Sequence, residues 1–198
     1  MIALLALGIA VPALNARPGI EKYPQTEVSA SWSFYPRVAA GEFLDGHREA
    51  ITGGRFTEKA VQGNQIHCSG LYTAEVGFKL KSWFTLGIQV SGASFWADSM
   101  NSQERIKGTA LYLLPTARFT YVRSDLIKMY SGVGFGLGLQ NGFSAEQSVY
   151  AGIGGADLDA AFQVVPVGIQ MGRDLYGIAE LSLGTVNMGL RLGIGYRF

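Results

Sequence analysis

Asp45, His47, Glu49, His67 and Cys68 bring acids, imidazoles and a thiol into one stretch of the chain, residues 37–67 and the cysteine just beyond it. Groups of these types can supply a nucleophile, a general base and an orienting acid, provided that the fold holds them within hydrogen-bond reach of one another. Nothing in the stretch does so. It is rich in glycine and charge and has no apolar period, so its histidines read as solvated loop residues. The Cys/His spacing matches no zinc site. The glycines elsewhere follow strand alternation and open no helix, so they cradle no phosphate. No catalytic, cofactor-binding or metal-ligating residue is predicted, and the chain is read as a non-enzyme.

A second set of charged residues is placed more regularly. Glu27, Glu75, Lys79, Arg118, Glu180 and Arg191 each stand in a segment of alternating character, always on its polar side. The alternation is clearest in Met188–Phe198. Met188, Leu190, Leu192, Ile194, Tyr196 and Phe198 are apolar, and the residues between them are small or cationic. A period of two is a strand with one greasy and one polar face. If the six charges converge, mutual neutralisation is the default, because unpaired buried charge is costly. They are expected to form a lumen charge network that plugs the interior; a gate or narrow polar channel is the alternative use.

Seven further segments alternate in the same way. Thr26–Tyr35 sets Val28, Ala30, Trp32 and Phe34 against Glu27 and serines. Gly70–Leu80 turns tightly near Lys81–Ser82 into a strand carrying Phe84, Leu86, Ile88 and Val90 on one face. Thr109–Val122, Ile127–Gln140, Ala161–Gly172 and Leu175–Gly184 complete the series. In Ile127–Gln140 four glycines, Gly132 to Gly138, share one face, leaving room inside or letting other side chains cross. Leu114, Phe162, Val164 and Ile178 fall on the polar face of these registers, so either a bulge shifts the phase or they pack inside. Long connections (37–67, 97–107, 141–155) alternate with short ones, and the strand count is even. Brief turns at one end and long loops at the other are the habit of membrane barrels, and strands of about ten residues match a tilted bilayer span. A soluble sandwich or lipocalin-like barrel shares the alternation but gives no reason for that asymmetry.

Composition is consistent with this reading. The 198 residues suffice for one domain, and no apolar run reaches the ~18 residues of a spanning helix. A formal net charge of +1 offers no electrostatic footprint for nucleic acid. The 27 glycines exceed the usual share of about 7% without a collagen period. Ile2–Leu14 followed by Ala16 reads as the core of a secretory signal peptide over 1–16, although the positive start is missing. The barrel would then occupy 17–198. Lone Cys68 has no intrachain disulfide partner. Trp83, Phe84, Phe119, Tyr121, Tyr196 and Phe198 gather near the short-turn ends, where interfacial girdles lie.

The runs Leu114–Phe119, Tyr130–Gly136, Phe162–Gly168 and the ending Gly193–Phe198 resemble the small outer-membrane β-barrel proteins of Bacteroidetes, similar in architecture to the OmpA and OmpX type. The resemblance implies an all-β fold, an eight-stranded antiparallel transmembrane β-barrel in the bacterial outer membrane. It also implies contact with outer-membrane lipid, and an assembly signal at Tyr196 and Phe198 read by the barrel-insertion machinery. For activity it implies a surface-exposed structural or interaction role, with an extracellular ligand for the loops. A narrow pore for small solutes or hydrophobic compounds is the second option. A lipid-modifying enzyme comes third, because such barrels use a His, Ser and acid set and no strand histidine is expected.

Overall fold

The computed structural model describes residues 25–34, 66–98, 105–142 and 156–198. The expected signal peptide (1–16), Asp45, His47, Glu49 and most of the three long loops lie outside them. The strands are β1 (Gln25–Ser33), β2 (Ile66–Cys68), β3 (Leu71–Lys81), β4 (Phe84–Asp98), β5 (Arg105–Arg123), β6 (Ile127–Asn141), β7 (Ala156–Gly172), β8 (Leu175–Gly184) and β9 (Gly189–Arg197). Every pairing is antiparallel. The hydrogen-bonded order β2-β4-β3-β1-β9-β8-β7-β6-β5 is completed by a β4–β5 pairing, which closes the sheet. β2 meets β4 only beyond the point where β3 begins, at Cys68↔Phe95 against Tyr72↔Gly92. It is an upward continuation of β3, and the barrel proper has eight strands.

The break between β2 and β3 falls at Gly70, whose φ of 77° is strained for any residue with a Cβ. Ser69 N–H still donates to Ser94 O at 2.9 Å, so the ladder is kicked outward and then resumes. The strands are also staggered. From Glu27, the paired residues Gly77, Gly87, Thr116, Gly134, Gln163 and Gly184 lead to the β8–β9 turn and not back to Arg197, the partner of Glu27 on β9. Such stagger accompanies strand tilt and leaves an eight-stranded interior just wide enough for side chains to fill.

Glycines decide how it fills. Tyr112 stands opposite Gly138, Tyr130 opposite Gly168 and Tyr176 opposite Gly195. All three tyrosines are buried, and each ring lies across the glycine facing it. A Cβ on Gly168 would come within 2.5 Å of Tyr130 Cζ, and one on Gly138 within 2.8 Å of Tyr112 Cε1. A ring laid over a bare backbone on the next strand covers what the glycine leaves open. The glycines of β6 thus let other side chains cross the lumen.

The interior is layered. Toward the long-loop end Leu71, Phe95, Leu114 and Ala161 form an apolar cluster with Tyr112 and Val186. Toward the short turns it is polar and charged. Outside, large apolar side chains are exposed on β3 to β9, for example Ile88, Phe135, Leu181 and Ile194, and β1 turns Val28, Ala30 and Trp32 the same way.

Several local expectations need correction. β4 and β5 run on to the pair Asp98↔Arg105, so both ends of the loop placed at 97–107 are strand. The loop placed at 141–155 is bounded by the pair Asn141↔Ala156. His67 is a strand residue in β2, stacked on Trp96 at 5.9 Å, and not a loop histidine. The off-phase residues divide between the two explanations. Leu114 and Ile178 pack inside. Phe162 and Val164 point out, because a register shift between Val164 and Val167 resets the phase of β7 and turns Val165 inward. Ser131 Oγ–H donates to Pro166 O at 2.6 Å in that bulge.

Replacing Gly168 by Val should unseat the Tyr130 ring and cost about 1–3 kcal/mol by overpacking. Urea unfolding in detergent micelles would measure it, and Tyr130→Leu in the same chain should recover part of the loss.

Candidate functional site

β9 supplies two inward arginines, and each meets a carboxylate directly across a strand pair. Arg197 faces Glu27 on β1, and Arg191 faces Glu180 on β8. Opposite charges in such positions are the sheet's own pairing unit. Arg197 Nε–H donates to Glu27 Oε1 at 3.0 Å, Nη2 to Gln170 Oε1 at 2.6 Å and Nη1 to the Arg173 carbonyl at 2.7 Å. Its guanidinium lies over the Tyr176 ring, 4.1 Å from the centroid. All of the guanidinium nitrogens therefore have acceptors, as a planar fork allows.

Arg118 holds two carboxylates and lies over the Tyr130 ring, 5.5 Å from its centroid. From β5 it crosses β4 to reach Glu75 Oε1 at 3.1 Å, with Glu27 Oε2 at 3.6 Å. The crossing needs bare backbone below it, since a Cβ on Gly77 would sit 2.7 Å from Arg118 Nη2. Thr116 Oγ1–H donates to the same Glu75 oxygen at 3.1 Å. Further up, Tyr130 O–H donates to Glu180 Oε1, and Arg191 ion-pairs with Glu180 Oε2. Arg191 Nη1 also donates to Gln89 Oε1 at 2.9 Å. Gln89 Nε2 donates to Ser91 and Gln163, and Gln163 donates to Ser182. The chain of contacts runs from the short-turn rim to the foot of the apolar cluster.

All six residues expected in the lumen, Glu27, Glu75, Lys79, Arg118, Glu180 and Arg191, are buried inside the barrel. Glu27, Glu75 and Arg118 meet in one group and Glu180 and Arg191 in another. Lys79 stands at the short-turn end, opposite Gln25 and Thr85. Sequence reasoning omitted Arg197, Tyr130, Tyr176, Gln89 and Gln163. Arg197 had a usable signal, because it shares the parity of Arg191. The tyrosines had a weaker one, the glycines that face them.

What space is left is small. A cavity of about 20 Å³ is lined by Glu75, Gln89, Arg118, Gln163, Glu180 and Arg191, with room for a water molecule and not for a solute path. An open hollow of about 270 Å³ lies at the long-loop end beside Tyr112, Gln140, Asp159 and Thr185. Cys68 is half-buried and accepts the Gly70 N–H at 3.3 Å. Burial pushes its thiol up, the Gly70 amide offsetting part of this, so the nucleophilic thiolate is disfavoured. Among the described residues no group of His, Cys, Asp and Glu could hold a metal ion. Tyr196 and Phe198 project outward with their rings edge to face at 4.9 Å.

Arg191→Met should cost about 3–5 kcal/mol, because it leaves Glu180 buried without its partner. Adding Glu180→Leu should restore part of that, as apolar replacement of a whole pair usually does. The comparison is made by unfolding midpoints of the two variants in micelles. Equal loss in the single and double variants would mean that the pair itself is unimportant.

No family model matches the chain, and no curated protein matches it. Solved structures do. The N-terminal β-barrel domain of Pseudomonas aeruginosa OprF is 13% identical with a TM-score of 0.46, over 88% of this chain and 98% of that one. The Yersinia pestis outer membrane protein Ail in a phospholipid bilayer nanodisc is 15% identical with a TM-score of 0.47, over 88% and 99%. Ail in complex with the heparin analogue sucrose octasulfate is 12% identical with a TM-score of 0.46, over the same shares. Strand count and closure rest on the pairings given above.

Proposed function

We propose that this chain is a non-enzymatic integral protein of the bacterial outer membrane, a barrel with a filled lumen that acts through its surface loops. The observation that carries the reading is the inversion of the usual soluble pattern. Charges and amides fill the interior on the short-turn side of the apolar cluster, while the outer face of every barrel strand is apolar. Water gives no reason for such a belt on a closed barrel. Hydrocarbon does, and it also requires the closure, because it satisfies no free backbone group. Trp83, Phe84 and Phe119 cluster at the short-turn rim with centroids 5.3–6.2 Å apart, at the level where rings meet headgroups.

With the lumen committed to its own network, binding falls to the connections at the far end, the segments around 37–67, 97–107 and 141–155. An extracellular ligand would meet the chain there. Kinship with the Bacteroidetes barrels rests on the sequence runs that resemble them. The barrel-insertion machinery would read the outward pair Tyr196 and Phe198 on β9. The pore reading is weaker, because the cavity among the lumen charges is single-water in size.

Two measurements test this. The protein should fractionate with outer membranes, and purified barrels in planar bilayers should pass little current; steady, large single-channel currents would overturn the filled lumen. Depth is tested by substitution. Ile88→Arg, at mid-belt, should cost about 2–4 kcal/mol against about 0–1 for Thr109→Arg at the rim. Equal tolerance in refolding into vesicles would sink the membrane reading.

A further inference from the structure

The apolar belt is not equally tall all round. On β8 the outward apolar run extends from Leu175 to Leu183, and on β3 from Leu80 to Tyr72. On β6 it extends from Ile127 to Leu139 and on β7 from Met171 to Leu158. All four runs begin at the short-turn rim. A tilted strand gains about 2.5 Å of height per residue, so the first two rise about 20 Å and the last two about 30 Å. The height usual for an outer-membrane belt, about 25 Å, lies between them.

The surplus on the tall side is an ordered surface. Leu111, Leu139 and Leu158 stand in register across β5, β6 and β7, and each is exposed, Leu158 most at 62%. Polarity begins one row higher, where Thr109 faces Asn141. The rim aromatics climb with the leucines. Trp32 and Tyr72 face each other at the upper edge of the short side. Tyr72 is level with Gly92, whereas Trp96 lies four residues further along β4. Lys107, its neighbour on β5, is exposed. An indole at the boundary between apolar and cationic rows is what a membrane interface selects.

We propose that this leucine face is covered by lipid acyl chains, so that the bilayer stands higher against β5–β7 than against β8, β9, β1 and β3. The proposal rests on the membrane reading and adds a direction to it. The leucine rows continue the belt, whose one outward polar side chain on β6 and β7, Ser131, is tied to the Pro166 carbonyl, and no charged residue interrupts them below Lys107. A mismatch of a few ångströms on each side is met by local thickening and thinning of the bilayer or by tilting of the barrel, at a modest cost. The barrel would thereby sort toward thicker bilayers and hold one fixed face toward them.

The test uses the full chain with Cys68→Ser, refolded into phosphatidylcholine vesicles that carry acyl-chain nitroxide lipid. Single cysteines at Leu139, Leu158, Ile194 and Lys107 receive a bimane label. Labels at 139 and 158 should be quenched by the nitroxide as strongly as the mid-belt label at 194. They should be several-fold less sensitive to aqueous iodide than the label at 107. Iodide access at both 139 and 158 with 194 protected would overturn lipid coverage and leave the membrane reading standing. Iodide access at 194 would overturn both. Protection of 139 and 158 from both quenchers would point to a second copy of the chain on this face and would equally overturn the proposal. Two leucine positions are used so that one poorly folding variant does not decide the outcome.

Discussion

The ion pair between Glu27 and Arg197 joins strands 170 residues apart, and the rest of the architecture depends on the closure it sits in. Until β1 pairs with β9, the sheet has two free edges, each a row of unsatisfied backbone groups that water can solvate and hydrocarbon cannot. Closure also creates the interior. The seam places Glu27 beside Arg197 and within reach of Arg118, so the carboxylate that bridges the edges also anchors the charge network. Neither charge could be buried before the barrel closed. Pairing of such sequence separation comes at high entropic cost and belongs late in assembly.

Once closed, an eight-stranded barrel has to be filled by what its strands point inward. Large side chains on all eight would collide, and small ones would leave a void. The chain alternates the two across strand pairs: tyrosine over glycine on three of them, and arginine over Gly77. Long polar side chains suit the lower half because they can bend to meet partners from non-adjacent strands, as Arg118 does with Glu75. Near the loops the same space is taken by Leu71, Phe95 and Leu114, which need no partners. The interior thus passes from a cross-linked polar network to a packed apolar layer.

Much of this was legible in the sequence, for a geometric reason. Side-chain period in a strand is two, so one correctly phased apolar residue assigns the whole face, and Glu27, Glu75, Lys79, Arg118, Glu180 and Arg191 could be placed inside by parity alone. Arg197 follows from the same parity but stands at the end of a run read for its aromatics. The bulge at Pro166 was not legible: two registers fit β7 equally well until the partner strands are known. Nor were the extra lengths of β4–β7, because Ala97, Arg105 and Lys107 look like loop residues when their pairing is unseen. Which carboxylate each arginine chooses depends on stagger, and the period of one strand carries no information about stagger.

The polar residues of the lumen are therefore a consequence of the fold's width and not in themselves evidence of transport or catalysis. A charge network that serves transport must keep some group unsatisfied for a passing solute. Here the carboxylates are each met by an arginine and the guanidinium of Arg197 is satisfied at every nitrogen; Arg118 Nε and Arg191 Nε have no acceptor, but the cavity that both residues line is only about 20 Å³. The same reasoning turns attention outward. Fold alone does not set the height of the apolar rows on β6 and β7, because a barrel closes as well with polar residues at Leu111, Leu139 and Leu158. What lies outside those strands has to account for leucine at all three.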